Sequence, residues 1–145
     1  MAPTMKRIVL ILCGALANLT CAQFFSQLPE NYGSLGFVQV NGTRFTRNGL
    51  PYYIVGANYW QGMNLASDDS WGGNRTRLES ELTEMKNIGI NNLRIMASSE
   101  GPDDQPFRMR PSLMPSPGVY NEHILAGLDF LLDAMGRHSM TAVGG

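Results

Sequence analysis

Five prolines, Pro102, Pro106, Pro111, Pro115 and Pro117, crowd into residues 102–117 of this chain. Proline fixes φ and has no backbone N–H, so neither a helix nor an inner strand can run through them. Residues 97–120 must therefore be a loop, and loops that long are uncommon unless they have a job. The loop also divides the pattern. Before it, Asn92 to Met96 reads as a short apolar strand carrying one arginine, Arg94. After it, Ile124, Leu125, Leu128, Leu131, Leu132 and Met135 form a wide apolar stripe at helical spacing, with Asn121 placed to cap the helix.

The same alternation extends to both sides. Leu78, Leu82, Met85 and Ile88 recur at helical spacing and predict a helix from about Asn74 to Ile88, with Gly89 as its stop. Arg77 and Glu81 make an i,i+4 pair on it, worth only about 0.2–0.5 kcal/mol. Met140 to Val143 begins another strand. Upstream, residues 37–40 are β-prone, and Asn41-Gly42 and Asn48-Gly49 are hairpin-type turns. The run from Pro51 to Gly56 is almost wholly apolar, as expected of a strand covered on both faces.

The predicted order is hairpin, strand, helix, strand, helix, strand. Such βαβαβ order signals a parallel sheet with crossover helices. It fits an open doubly wound fold or the opening of a (β/α)₈ barrel. No G-x-G-x-x-G follows a strand, so the dinucleotide-binding marker is missing. Long, aromatic-rich loops after the strands favour the barrel, whose sites lie on that face.

The first residues read as a leader. Lys6 and Arg7 are followed by an apolar stretch over residues 8–19 and by the small-residue site Thr20-Cys21-Ala22. This predicts a secretory signal peptide over residues 1–22, and hence a secreted, extracellular protein whose mature chain starts at Gln23. Both cysteines, Cys13 and Cys21, lie in that leader, so the mature domain must rely on its core rather than on disulfides. Asn41-Gly42-Thr43 and Asn74-Arg75-Thr76 are N-glycosylation sequons. The formal net charge is −1, which points to neither nucleic acid nor an acidic disordered tail.

Several residues could carry chemistry. If Leu93 and Ile95 face the helices, Arg94 faces the other side of the sheet. An arginine there needs an anionic partner, since an unpaired buried charge is costly. It can hold a catalytic carboxylate ionised and oriented, or it can form a structural ion pair; the pattern leaves these even. Tyr59 and Trp60 follow a strand end, with Trp71 in the same loop and Phe107 in the next. Aromatic faces suit the apolar faces of sugar rings, although a loop anchored by its own aromatics is the commoner case. Glycoside hydrolysis needs two carboxylates at a defined separation, and no such pair stands out. Glu79, Glu81, Glu84, Glu122, Asp129 and Asp133 belong to helices; Asp68, Asp69, Asp103 and Asp104 belong to loops. Glu100 alone lies just beyond a strand. His123 and His138 are about four helical turns apart, too far to share a metal.

Four segments together carry a family resemblance: Gly56-Ala57-Asn58-Tyr59-Trp60; Asn91-Asn92-Leu93-Arg94-Ile95-Met96-Ala97-Ser98-Ser99-Glu100-Gly101-Pro102; Pro111-Ser112-Leu113-Met114-Pro115-Ser116-Pro117-Gly118; and Tyr120-Asn121-Glu122 leading to Gly127-Leu128-Asp129-Phe130-Leu131-Leu132. The chain resembles the secreted endo-β-1,4-mannanases of glycoside hydrolase family 5. The resemblance implies retaining hydrolysis of internal β-1,4-mannosidic bonds in mannan, glucomannan and galactomannan. It implies no cofactor, no metal, no nucleic-acid or membrane partner, and a monomer when complete. Arg94 matches the strand-two arginine that orients the nucleophilic glutamate, and Trp60, with Tyr59 beside it, matches the substrate-binding aromatics of the cleft. Residues 97–120 would lie along the cleft rim.

The family also places both catalytic glutamates beyond the fourth and seventh strands, and neither is in this sequence. The expected fold class is therefore α/β, the N-terminal part of a (β/α)₈ TIM barrel that stops after about three strands and two helices. The expected domains are the leader and an incomplete catalytic domain over residues 23–145. A barrel takes about 250 residues, so this chain alone is expected to be marginal and inactive. Other readings are a β-glucanase or cellulase of the same family, a non-catalytic mannan-binding fragment using Tyr59, Trp60 and Trp71, and an inert mis-spliced product.

Overall fold

A computed structural model describes residues 36–144. The expected signal peptide and the start of the mature chain lie outside the described residues. Three short antiparallel strands come first: β1 (Val38–Asn41), β2 (Arg44–Arg47) and β3 (Leu50–Pro51). Arg47 pairs with Leu50, so Asn48 and Gly49 form a two-residue loop. Their φ values of 53° and 76° are both left-handed. A primed hairpin turn demands this, and Asn-Gly tolerates it best.

A parallel sheet follows: β4 (Gly56–Asn58), β5 (Asn92–Ile95) and β6 (Thr141–Gly144), in the order β4-β5-β6. Gly56 aligns with Asn92, and Asn92 with Thr141. Between β4 and β5 lie a one-turn helix α1 (Gly62–Leu65), a 3₁₀ turn (Asp69–Trp71) and helix α2 (Arg75–Asn87). Between β5 and β6 lie the proline loop and helix α3 (Glu122–Arg137). This is the predicted βαβαβ unit, the opening of a (β/α)₈ barrel, and among the described residues the sheet is open at both edges.

Both long helices begin as their sequences direct. The Asn74 side chain accepts from the Arg77 N–H at 2.8 Å, and the Asn121 side chain accepts from the His123 N–H at 3.1 Å. Each satisfies one orphan donor of a first turn. Leu78 and Leu82 of α2 and Leu131, Ala134 and Met135 of α3 are buried against Leu93 and Ile95 of β5 and against Met140. Burying each leucine favours the fold by roughly 1.5–3 kcal/mol. Helix α1 crosses α3 at Gly127, where a Cβ would stand 2.5 Å from the Met63 carbonyl oxygen. The absence of a side chain at Gly127 is what lets the two backbones meet.

The predicted strand from Pro51 to Gly56 is broken in two. Backbone bonds continue at its ends, from Tyr52 N–H to the Phe45 carbonyl at 2.9 Å and from Asn91 N–H to the Val55 carbonyl at 3.0 Å, and the Asn91 side chain braces the stretch between. Val55 N–H donates to Asn91 Oδ1 at 2.9 Å, and Asn91 Nδ2 donates to the Tyr53 carbonyl at 2.8 Å. Tyr53, Ile54 and Val55 are exposed, so this apolar run is not covered on both faces by the described residues. Ile88, assigned to the helical stripe, is also exposed, because α2 ends one residue before it.

Candidate active-site cleft

The two faces of β5 differ as the alternation predicts. Leu93 and Ile95 are buried and Arg94 is exposed, while Asn92, on Arg94's side by parity, is buried with its side-chain amide donating to Thr141 Oγ1 at 2.7 Å. Leu93 and Ile95 face the helices, and Arg94 lies on the opposite side. Its backbone carbonyl accepts from the Tyr59 N–H at 2.8 Å, which ties β4 and β5 together at their C-terminal ends. Its guanidinium has no hydrogen bond or ion pair among the described residues.

Trp60 emerges at the end of β4 and is 53% exposed. It lines a hollow of about 500 Å³ with Met96, Ser99, Glu100, Phe107, Arg108, Met109 and Ser112. All of these except Trp60 come from β5's C-terminal end and the loop after it. Residues 97–120 therefore form one wall of a cleft at the C-terminal face of the strands, the position that barrel enzymes use. The loop holds its shape through its own polar bonds. Ser99 Oγ accepts from Leu113 N–H at 2.8 Å, and Asp103 Oδ1 accepts from Ser112 N–H at 2.8 Å. Met114 N–H donates to the Ser99 carbonyl and Gly101 N–H to the Met114 carbonyl, each at 2.9 Å.

Tyr59 corrects the expectation of a substrate-binding aromatic. It is 4% exposed and belongs to the core between sheet and helices. Consecutive residues at a strand end point to opposite sides, so Trp60 and Tyr59 cannot both face the cleft. The Tyr59 hydroxyl donates to Glu81 Oε2 on α2 at 2.6 Å. Burial, then the Glu81 carboxylate, hold the phenol far above its usual range. Partial burial works against ionisation of Glu81, but hydrogen bonds from Tyr59 and Arg77 outweigh it and lower its pKa. Trp71 is likewise occupied, stacked on the His123 ring with centroids 4.3 Å apart. Of the three aromatics in the β4–α2 loop, only Trp60 is presented to the cleft.

Most carboxylates are braced. Asp68 pairs with Arg75 at 3.2 Å. Glu81 pairs with Arg77 at 2.6 Å, the predicted i,i+4 contact. Arg137 bonds both Glu79 and Asp133, and His138 Nε2 lies 3.0 Å from Glu79 Oε2. For Glu79, partial burial opposes ionisation, yet the hydrogen bonds from His138 and Arg137 prevail and lower its pKa. Glu100 is the one carboxylate lining the hollow. Asn41 and Asn74 are both exposed, as are Thr43 and Thr76 of their sequons. Among the described residues, no three His, Cys, Asp or Glu side chains gather as a metal site. Also among them, no helix is long and apolar enough to cross a membrane.

Sequence reasoning passed over Ser112 and Arg108. Ser112 entered only as part of the Pro111–Gly118 segment, with no role of its own, and Arg108 had no periodic context in a loop.

The parallel βαβαβ unit, with an indole and a long loop at the C-terminal ends of its strands, is the front of a (β/α)₈ barrel. The chain belongs to glycoside hydrolase family 5, β-mannosidase-like, whose sequence model matches residues 35–144. It is 32% identical over 114 residues to mannan endo-1,4-beta-mannosidase 5 of Solanum lycopersicum, covering 79% of this chain and 25% of that one. It is 35% identical to mannan endo-1,4-beta-mannosidase 7 of Arabidopsis thaliana, covering 74% and 23%. The family 5 mannosidase structure of Rhizomucor miehei, solved as a glutamate-to-alanine variant, is 63% identical with a TM-score of 0.73, covering 75% of this chain and 27% of that one. The chain thus spans about a quarter of the length of the relatives it matches.

Proposed function

We propose that residues 36–144 are the N-terminal part of a retaining β-mannoside hydrolase. In this reading Arg94 orients the nucleophilic glutamate carried by a later strand, and Trp60 supplies a sugar platform. The observation that carries it is Arg94, exposed and unpartnered on the face opposite the helices. The curated relatives support a β-1,4-linked mannan substrate, and with it the internal cleavage that their names describe.

A specific observation favours cleavage of short mannosides over attack inside long chains. Identity is 63% to the Rhizomucor miehei mannosidase, another glutamate-to-alanine variant of which was solved with mannosyl-fructose. It is 19% to that organism's endo-1,4-beta-mannanase, a likeness of fold alone. We place the enzyme outside the cell, on the strength of Lys6, Arg7 and the apolar stretch behind them. We also infer that the 145-residue chain hydrolyses nothing alone, since Glu100 is the single carboxylate on its hollow.

The test is to assay the complete barrel on mannotriose, polymeric mannan and cellulose, beside the 145-residue chain. Release of mannose or short mannosides by the complete barrel alone supports the reading. Preferential cleavage of cellulose, or turnover by the 145-residue chain, contradicts it.

A further inference from the structure

Helix α2 begins at a sequon, Asn74-Arg75-Thr76, that the cleft lining does not use. The two ends of the Asn74 amide are treated differently. Oδ1 is taken by the Arg77 N–H at 2.8 Å, whereas Nδ2 has no partner among the described residues. The backbone leading to it is tightly held. Asn74 N–H donates to the Leu65 carbonyl at 2.7 Å, and a Cβ on Gly73 would collide with the Ser67 carbonyl. The cap therefore fixes the direction in which Nδ2 leaves the surface, and substitution on Nδ2 leaves the cap acceptor in place. Asn41, in the other sequon, makes no side-chain bond among the described residues, so nothing there fixes a direction.

Beside Asn74 lies an open hollow of about 500 Å³, lined also by Asp69, Gly73, Thr76, Arg77 and Ser80. The Asp69 carboxylate and the Thr76 and Ser80 hydroxyls make no hydrogen bond or ion pair among the described residues. Arg77 gives Nε to Glu81 at 2.6 Å and keeps its other guanidinium donors free.

We propose that Asn74 carries an N-linked glycan whose first sugar, a neutral N-acetylhexosamine, is seated in this hollow and docked on the start of α2. The proposal rests on the extracellular reading above, since the sugar donor is met in the secretory pathway. That donor is an oligosaccharide linked to a lipid pyrophosphate. A bond forms between sugar C1 and Asn74 Nδ2 as the C1–O bond to the pyrophosphate breaks. Nδ2 gives up one proton, and the lipid pyrophosphate departs. One N–H remains on Nδ2, and Oδ1 stays an acceptor for Arg77.

The lining suits this occupant. One carboxylate and one guanidinium cancel in charge, which favours a neutral ligand. Sugar hydroxyls donate to Asp69, the acetamide carbonyl accepts from Arg77, and Thr76 and Ser80 do either. Attachment at Asn74 makes these contacts intramolecular, so exposed groups too weak to capture a free sugar can hold a tethered one.

The experiment uses the complete barrel, secreted from a glycosylating eukaryotic host behind a substituted leader and trimmed by an endoglycosidase to one sugar per site. The same protein is made without glycans in a bacterial cytoplasm. Peptide mass spectrometry reads the occupancy of Asn74. Melting temperatures are then compared for the parent and the double variant Asp69→Ala/Ser80→Ala in both forms. The expected result is an occupied Asn74, with the double variant lowering Tm by about 2 °C in the one-sugar form and by less than about 0.5 °C in the bare form. An unoccupied Asn74 overturns the proposal, as does a double variant that shifts the two forms equally or shifts neither. The native leader is tested separately. Its failure to direct secretion sinks the extracellular reading and leaves the docked sugar standing.

Discussion

Leu93 and Arg94 are neighbours on β5, yet their surroundings have almost nothing in common. On the helix side of the sheet, Leu93, Ile95, Leu78, Leu82 and Leu131 exclude water, and even the polar tip of Tyr59 is bonded to Glu81. On the other side, Arg94 has no partner among the described residues. At the strands' C-terminal ends Trp60, Phe107, Glu100 and Arg108 face an open hollow. The first side is organised for cohesion, and Asn64 Oδ1 on α1 is its one buried side-chain polar atom without a partner among the described residues. The second keeps its charges and aromatics uncommitted, which lowers stability unless something outside the unit meets them. A packed, bonded face and a face of uncommitted polar and aromatic groups thus lie on opposite sides of one short sheet, with a single residue step separating them.

Changes on the helix side should damage folding first. Leu93→Ala removes a fully buried side chain and should cost about 2–5 kcal/mol, read as a lowered urea midpoint of the complete barrel. A loss under about 0.5 kcal/mol would mean that the sheet–helix layer is not the core. Tyr59→Phe keeps the ring and deletes the hydroxyl that Glu81 accepts. It should destabilise by about 1 kcal/mol and leave saccharide affinity alone. A change in affinity without a change in stability would return Tyr59 to the cleft.

Asn74 separates two roles at one position. Asn74→Ala removes the cap of α2 and any glycan, and should lose about 1 kcal/mol. Asn74→Asp keeps an acceptor at the cap, so its stability should match the unglycosylated parent, while mass spectrometry reports whether a glycan was there.

The smallest expected effect is the acid dependence of the α2–α3 tie. Glu79 has a folded pKa below the ordinary 4.5, so its contribution is complete above that value and fades as pH falls through it toward the folded one. Glu79→Gln should therefore flatten the stability profile below about pH 5 and change nothing in its shape at neutral pH. An unchanged acid limb would show that Arg137 and His138 hold Glu79 only weakly.

Much of this arrangement is legible in the sequence because local rules and the fold agree. Asn74 and Asn121 cap the helices where their side chains can reach first-turn N–H groups. Asn48-Gly49 turns where both φ angles are positive, and the alternation around Arg94 separates the two faces. The misses have physical causes too. The stretch at residues 52–55 has strand composition, but the Asn91 side chain takes up the Val55 N–H and the Tyr53 carbonyl, and side-chain bonding between distant residues leaves no periodic trace. Helix α1 is four residues long, below any useful period. Tyr59 resembled a cleft aromatic because Trp60 stands beside it. The parity of the strand and the acceptor on Glu81, 22 positions away, decide otherwise. Ser112 and Arg108 needed the folded loop to bring them to one hollow.

The most direct test of the two-face account is Arg94→Ala in the complete barrel, with kcat/KM over a pH series and the urea midpoint measured on the same samples. The account predicts a loss of activity on the order of a hundredfold, as when a preorganised charge-stabilising donor is removed. It predicts an altered acid limb of the pH profile and a midpoint within about 0.5 kcal/mol of the parent. A large fall in the midpoint with kcat/KM and its pH profile intact would contradict it, and would make Arg94 a structural residue of the sheet.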